Sequence, residues 1–327
     1  MPKKSLARSI STGAALAAGA GAAAALGWTA YSRLFISHRI AVPPAMDAER
    51  RGFSGSSSRL SYYVDAARGG RPLVLLHSIN AAASAFEMRP FFEHYRRERA
   101  VYALDLPGFG FSERANRGYS PGVYTTAILD FLGSEVGEAA DVVALSLTSE
   151  FAARAAVAQP ELFHSLTLIS PTGFSRRRDH TVSGEAFFHA ASLPFWSQAL
   201  YDLLVTRPSI RYFLQKSFVG PIDEGLAHYD YATSHQPGAR HAPLYFVSGK
   251  LFTPDAPQAL YDSVRVPTVV LYDRDGYTDL DRLPEFVRTH PNWRTERIPG
   301  TLGLPHFEKP EETFAALDRC WAERAVA

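Results

Sequence analysis

"DVVALSLTSEFAARAA", Asp141 to Ala156, decides the reading of this chain. A continuous apolar run, Val142-Val143-Ala144-Leu145, stops at Ser146, and a small-residue helical pattern starts at once. A run buried on both sides fits a strand of a parallel sheet. A serine at the abrupt turn from such a strand into a helix sits at the carboxyl edge of the sheet, where crevices form. The following helix aims its free N–H groups at the same spot, where they favour developing negative charge. The residues two before and two after the serine, Ala144 and Thr148, need to be small for a turn that sharp. Ala152, Ala153, Ala155 and Ala156 let the helix lie close to the sheet.

Working outward, the same alternation recurs. "RLSYYVDA", "RPLVLLHS", "RAVYALDLPG", "HSLTLISP", "VPTVVLYDRDG" and "WRTERIPG" have strand character. "AFEMRPFFEHYRRE" has helical periodicity interrupted by Pro90, and "SPGVYTTAILDFLGSEV" is a helix with Ser120 as cap and Pro121 at its first position. Alternating strands and helices predict an α/β fold with a mostly parallel central sheet flanked by helices. The expected core covers residues 58–174 and 265–327. Between its halves, residues 175–264 lack a buried-strand series and are expected to form an inserted helical cap. Residues 41–57, rich in Pro, Gly and Ser, are expected to be a linker.

The first forty residues differ from the rest. Lys3, Lys4 and Arg8 precede an uncharged run from Ser9 to Ser32, mostly Ala and Gly. About 20 apolar residues cross a bilayer core. Three readings are open: a membrane anchor through residues 10–31, a cleaved export signal, or an Ala-rich tail. The first two place the folded domain outside the cytoplasm. The chain has 327 residues, is 46% hydrophobic and carries a net charge of +1, so it can build a large core and lacks the basic excess of a nucleic-acid partner. Its one cysteine, Cys320, excludes an internal disulfide and a Cys-based metal site. The oligomeric state is not encoded in any pattern here.

A serine at a strand end is usually a helix cap; chemistry requires a base and an acid that orients the base. His306, in "GTLGLPHFEKP" between the last short strand and the last helix, is the candidate base. Asp275, before Gly276 at the end of "VVLYDRDG", is the candidate acid, with Asp273 as runner-up. The chain order is then serine, acid, histidine.

That order on this fold resembles the α/β-hydrolase superfamily. "LLHSINAAASAF" resembles its His-Gly oxyanion loop, and "ALDLPGFGFSER" its Asp-x-Pro-Gly-x-Gly-x-Ser turn. "ALSLT" occupies the nucleophile elbow, "PTVVLYDRDG" the acid loop and "GLPHFEKPEE" the histidine loop. The resemblance implies Ser146 as nucleophile, His306 as general base and acid, and Asp275 as its orienter. The backbone N–H groups of Ile79 and Leu147 would form the oxyanion hole, and His77 would shape its loop. It implies no cofactor and no metal. Five departures accompany it. Ala144 and Thr148 replace the elbow glycines, and Ser78 replaces the loop glycine. The acid comes one residue early, and the glutamate after His306 follows too soon, shortening that loop. The implied activity is cleavage of a hydrophobic small-molecule ester through an acyl-enzyme. A carbon–carbon bond hydrolase or lyase and a non-catalytic binding protein on the same fold are the alternatives. The cap's aromatics, from Phe187 to Tyr231, are expected mostly to pack its helices together, and in part to roof Ser146.

Overall fold

The computed structural model describes residues 21, 23–176 and 184–325. Eight strands form one sheet: β1 (Glu49–Ser54), β2 (Arg59–Asp65), β3 (Leu73–Leu76), β4 (Val101–Asp105), β5 (Ala140–Leu145), β6 (Phe163–Ile169), β7 (Thr268–Tyr272) and β8 (Trp293–Arg297). Their order is β1-β2-β4-β3-β5-β6-β7-β8, antiparallel at β1/β2 and β2/β4 and parallel from β4 onward. The helices are α1 (residues 23–35), α2 (Arg89–Tyr95), α3 (Pro121–Phe131), α4 (Thr148–Ala158), α5 (Glu185–Ser192), α6 (Ser197–Leu204), α7 (Arg207–Gln215), α8 (Glu224–Ser234), α9 (His241–Val247), α10 (Ala256–Ala259), α11 (Leu283–Thr289), α12 (Pro305–Glu308) and α13 (Pro310–Ala325). The fold is the α/β architecture expected from the sequence, with α5 to α10 inserted between β6 and β7.

The strands feed two cores by simple alternation. Val74, Leu76, Val142, Ala144, Leu166 and Leu168 face one layer, while Leu73, Leu75, Val143, Leu145 and Ile169 face the other. This is the period of two expected of a sheet covered on both faces. The first layer holds α3 and α4; the second holds α2 and α13. Pro90, which breaks the sequence periodicity, lies in the first turn of α2, where its missing N–H costs nothing. A short 3-10 turn, Ala85–Met88, leads into that helix.

One expectation needs correction. The 41–57 stretch is not a linker. Glu49–Ser54 pairs along its whole length with β2, and the Gly55 N–H closes the hairpin on the Ser58 carbonyl at 3.0 Å. Backbone pairing supplies there what an unpatterned set of side chains does not. Most of the proposed anchor lies outside the described residues. Its described end is α1, which packs on the cap, and among the described residues no helix is long and apolar enough to cross a membrane.

Candidate active site

The backbone at Ser146 has φ 54°, in the left-handed region, which costs a non-glycine residue roughly 1–3 kcal/mol. It is held there from both sides: the Ser146 N–H donates to the Ile169 carbonyl at 2.8 Å, and its carbonyl accepts from Ser149 N–H at 3.0 Å. The side chain is thereby lifted off the end of β5 and stays partly exposed. Ala144, Ala152, Ala153 and Ala155 are fully buried beneath it, so α4 sits close on the sheet.

Thr148, the branched residue where the family has glycine, has a role of its own. Its fully buried hydroxyl donates to the His77 carbonyl at 2.6 Å, tying the elbow to the loop after β3. His77 is buried, and its Nε2 accepts from the Leu106 N–H at 2.9 Å. That fixes the proton on Nδ1, which donates to the Ser78 carbonyl at 2.6 Å. Burial holds the His77 pKa down to about 4, so the ring is a neutral brace.

The same loop is braced a second time. Glu87 accepts from the Ser78 N–H at 2.7 Å, the Ser78 hydroxyl at 3.0 Å and the Asn80 side-chain amide at 2.8 Å. Burial pushes its pKa up to about 7. Asp230 of α8 lies close enough to feel Glu87. Burial first, and Glu87 second, push its pKa well above the carboxylate range, and its Oδ1 has no hydrogen-bond partner. Between these braces, the N–H groups of Ile79 and Leu147 bond to no protein acceptor among the described residues. Free N–H groups that converge beside a serine can hold a carbonyl oxygen or an anion.

The acid side is arranged differently. Asp273 is buried and spoken for: it accepts from Arg297 Nε at 2.6 Å and from the N–H groups of Gly300 and Thr301 at 2.8 and 3.3 Å. Burial opposes ionisation there, but the guanidinium and the two amides hold its pKa below the ordinary value. It anchors the loop after β8. Asp275 takes the N–H groups of Tyr277 and Thr278 on Oδ1, at 2.7 and 3.2 Å. Its Oδ2 faces Gly303: a Cβ on that glycine would lie 2.9 Å from it and 3.5 Å from the Ser217 hydroxyl.

His306 is not brought to either partner. It is fully buried in α12, and its Nε2 bonds the Glu87 backbone carbonyl at 2.8 Å, while its Nδ1 has no hydrogen-bond partner. Its ring packs 5.0 Å from Phe91 of α2, in the layer opposite α4. Burial holds its pKa down to about 4. The expected hydroxyl–imidazole–carboxylate chain is therefore not assembled through His306. The shortened spacing to Glu308 was the sequence signal: it places His306 within the four-residue helix that ends at Glu308. Glu308 itself accepts from the N–H groups of Val219 and Leu302 at 2.6 and 2.7 Å, clamping the cap to this loop. Gly303, opposite the acid, carried no signal of its own.

The cap reaches the loop after β3 through Tyr201, whose hydroxyl donates to the Ala81 carbonyl at 2.7 Å, and through Phe86 stacked on Tyr229 at 4.7 Å. The hollow between Ala82, Phe109, Arg114 and Tyr201 measures only about 10 Å³. Of the ten cap aromatics from Phe187 to Tyr231, five do not pack its helices: Phe187, Phe195, Trp196, Tyr212 and Phe213 stay exposed.

Residues 73–317 match the model of the α/β-hydrolase family, and the chain belongs to that family. No curated protein matches it by sequence. Among solved structures, it is similar to a serine hydrolase involved in carbazole degradation, the CarC enzyme (18% identity, TM-score 0.67, covering 84% of this chain and 98% of that one). It is similar to a thermophilic esterase from Thermogutta terrifontis (18%, TM-score 0.64, 85% and 99%). A membrane phospholipase A described as a bacterial virulence factor aligns over 97% of this chain and 99% of its own, at 20% identity and TM-score 0.63. At these identities the likeness is one of fold.

Proposed function

We propose that the site around Ser146 binds a hydrophobic carboxylic ester or acid, with its carbonyl or carboxylate oxygen on the N–H groups of Ile79 and Leu147, and that binding, not turnover, is its main activity. The observation that carries this reading is that neither ring nitrogen of His306 bonds Ser146 or Asp275: Nε2 is held by the Glu87 carbonyl and Nδ1 has no hydrogen-bond partner. A serine hydroxyl without an adjacent base is a weak nucleophile, and a positioned general base contributes about 10²- to 10⁴-fold. The oxyanion cradle does not depend on the base. The hydrolase, esterase and phospholipase named among the structural neighbours support an ester-like ligand.

A second reading is a serine esterase using Ser146, His306 and Asp275. The left-handed backbone retained at Ser146 favours it. It requires the His306 ring to leave the Glu87 carbonyl and the Phe91 face. One experiment separates the two. The wild type is incubated with a fluorophosphonate probe and with p-nitrophenyl butyrate, beside Ser146→Ala and His306→Ala. The binding reading expects wild-type turnover within a few-fold of Ser146→Ala, with saturable one-to-one binding of a medium-chain fatty acid. Rapid labelling, with turnover lost in both variants, establishes the esterase and ends the binding reading.

A further inference from the structure

Helix α1 is amphipathic the wrong way round for a helix lying on a soluble protein. Its inward side is polar. The Ser32 hydroxyl, fully buried, donates to Asp202 Oδ2 at 2.5 Å, and the Trp28 indole N–H donates to the Ala199 carbonyl at 2.7 Å. His38, just beyond the helix, bonds the same buried Asp202 at 2.9 Å. Its outward side is apolar: Leu34 is 75% exposed and Phe35 72%, with Tyr31 half exposed beside them. Tyr31 stacks between Trp28 and Phe35, so these rings form one continuous strip.

The cap helix that receives α1 repeats the pattern. In α6, Ser197, Ala199, Tyr201 and Asp202 are buried. Trp196 at its N-cap, Leu200 and Leu203, spaced i, i+4, i+7 along one helix face, are exposed. The Arg33 side chain bonds the Phe195 carbonyl at 2.8 Å and lies over the Phe195 ring, so the two apolar faces are neighbours. A contiguous apolar surface of this kind marks an interaction site.

The charge of the chain's start identifies the occupant. The first 46 residues carry Lys3, Lys4, Arg8, Arg33 and Arg39 and no acidic residue; Asp47 is the first. Residues 1–20, outside the described structure, lead into α1 with an uncharged Ala/Gly run after Arg8. Basic residues flanking an apolar surface are the signature of a helix that lies in the interface of an anionic bilayer. We propose that α1 and α6 together form a face that docks on an anionic lipid surface, with the cap seated on the membrane. Tyr201, on the opposite side of α6, bonds the loop after β3, so the docked helix stands one layer from Ser146. The proposal is independent of whether that site turns its ligand over.

Flotation of the full chain with vesicles of phosphatidylcholine and phosphatidylglycerol (3:1) tests it. The wild type is expected to float. Leu200→Asp/Leu203→Asp, which leaves the N-terminal run intact, is expected to reduce the bound fraction at least tenfold with an unchanged thermal melt. Trp196 fluorescence is expected to be quenched by lipids brominated on the acyl chain, read as the difference from Trp196→Phe. Equal flotation of the double variant, with unquenched Trp196, overturns the proposal and leaves the tail as sole anchor. So does a wild type that ignores vesicles and elutes as a dimer which the double variant splits, since the face then binds a second copy.

Discussion

Ser146 and Asp275 stand after strands two places apart in one sheet, and their surroundings contrast. At Ser146, the strained turn is held by Ile169 and Ser149, the adjoining loop by Thr148, His77 and Glu87, and the N–H groups of Ile79 and Leu147 bond no protein acceptor among the described residues. At Asp275, Oδ1 takes two backbone N–H groups, and Oδ2 lies beside Gly303, a position without a side chain. The imidazole nearest in sequence is committed to a carbonyl in the opposite core layer. In the proposed reading, the half that would recognise an oxygen is built and the half that would move a proton is not. The contrast teaches that the two halves are separable, because each is fixed by its own local bonds.

Restoring the missing half is expected to give the largest effect. Gly303 does not have a left-handed backbone, so a side chain fits its conformation, and the atom it would first meet is the movable end of Asp275. Gly303→His is therefore expected to place a ring against Asp275 and raise p-nitrophenyl butyrate turnover about 10²- to 10⁴-fold, the ordinary contribution of a general base. The gain should vanish in Gly303→His/Ser146→Ala and survive in Gly303→His/His306→Phe. A Gly303→His protein that folds, as judged by its melt, and gains nothing would break the comparison, for a ring beside Asp275 would not then be what turnover lacks.

The role of His306 can be sharpened through pH. Burial lowers its pKa to about 4, so between pH 6.5 and 4 the unfolded chain takes up a proton that the folded chain refuses. That contribution to stability is complete above pH 6.5 and is lost as pH falls toward 4, by about 3 kcal/mol at 1.36 kcal/mol per unit. Glu87, with its pKa raised to about 7, acts in the opposite sense: its cost appears as pH rises from 4.5 to 7. The difference between the wild type and His306→Phe isolates the histidine. In urea unfolding, the variant is expected to be less stable at pH 7 by about 1 kcal/mol, from the lost bond to Glu87. It is then expected to overtake the wild type near pH 6. A pH-independent difference would mean the ring is not held neutral.

How much of this was legible follows from where the information resides. The sheet was legible because buried strands such as Val142–Leu145 and Val269–Leu271 are continuous apolar runs whose cost of exposure is large. The elbow was legible because a serine between a strand and an Ala-rich helix leaves few alternatives. Strand β1 was hidden, since ERRGFS pairs through its backbone and its side chains are mostly exposed. The setting of His306 was hidden for a related reason. A loop histidine and a buried structural histidine have the same letter, and only the bond to the Glu87 carbonyl separates them. The cap's exposed aromatics were read as packing because composition does not tell which way a helix face points.

The smallest effect concerns the tether between the elbow and the loop after β3. Thr148→Val keeps the volume but removes the hydroxyl, leaving the His77 carbonyl without the 2.6 Å bond it accepts. A buried acceptor left in this way costs about 1–3 kcal/mol, and Thr148→Ser should recover most of it. Ligand affinity provides the finer reading. If Thr148 holds the Ile79 N–H in place through His77, Thr148→Val weakens fatty-acid binding several-fold more than Thr148→Ser, and Ser146→Ala leaves it almost unchanged. Equal affinities in all three would mean that Leu147 alone anchors the ligand. The recognising half would then be simpler than its bonds suggest, and the contrast with the acid side correspondingly weaker.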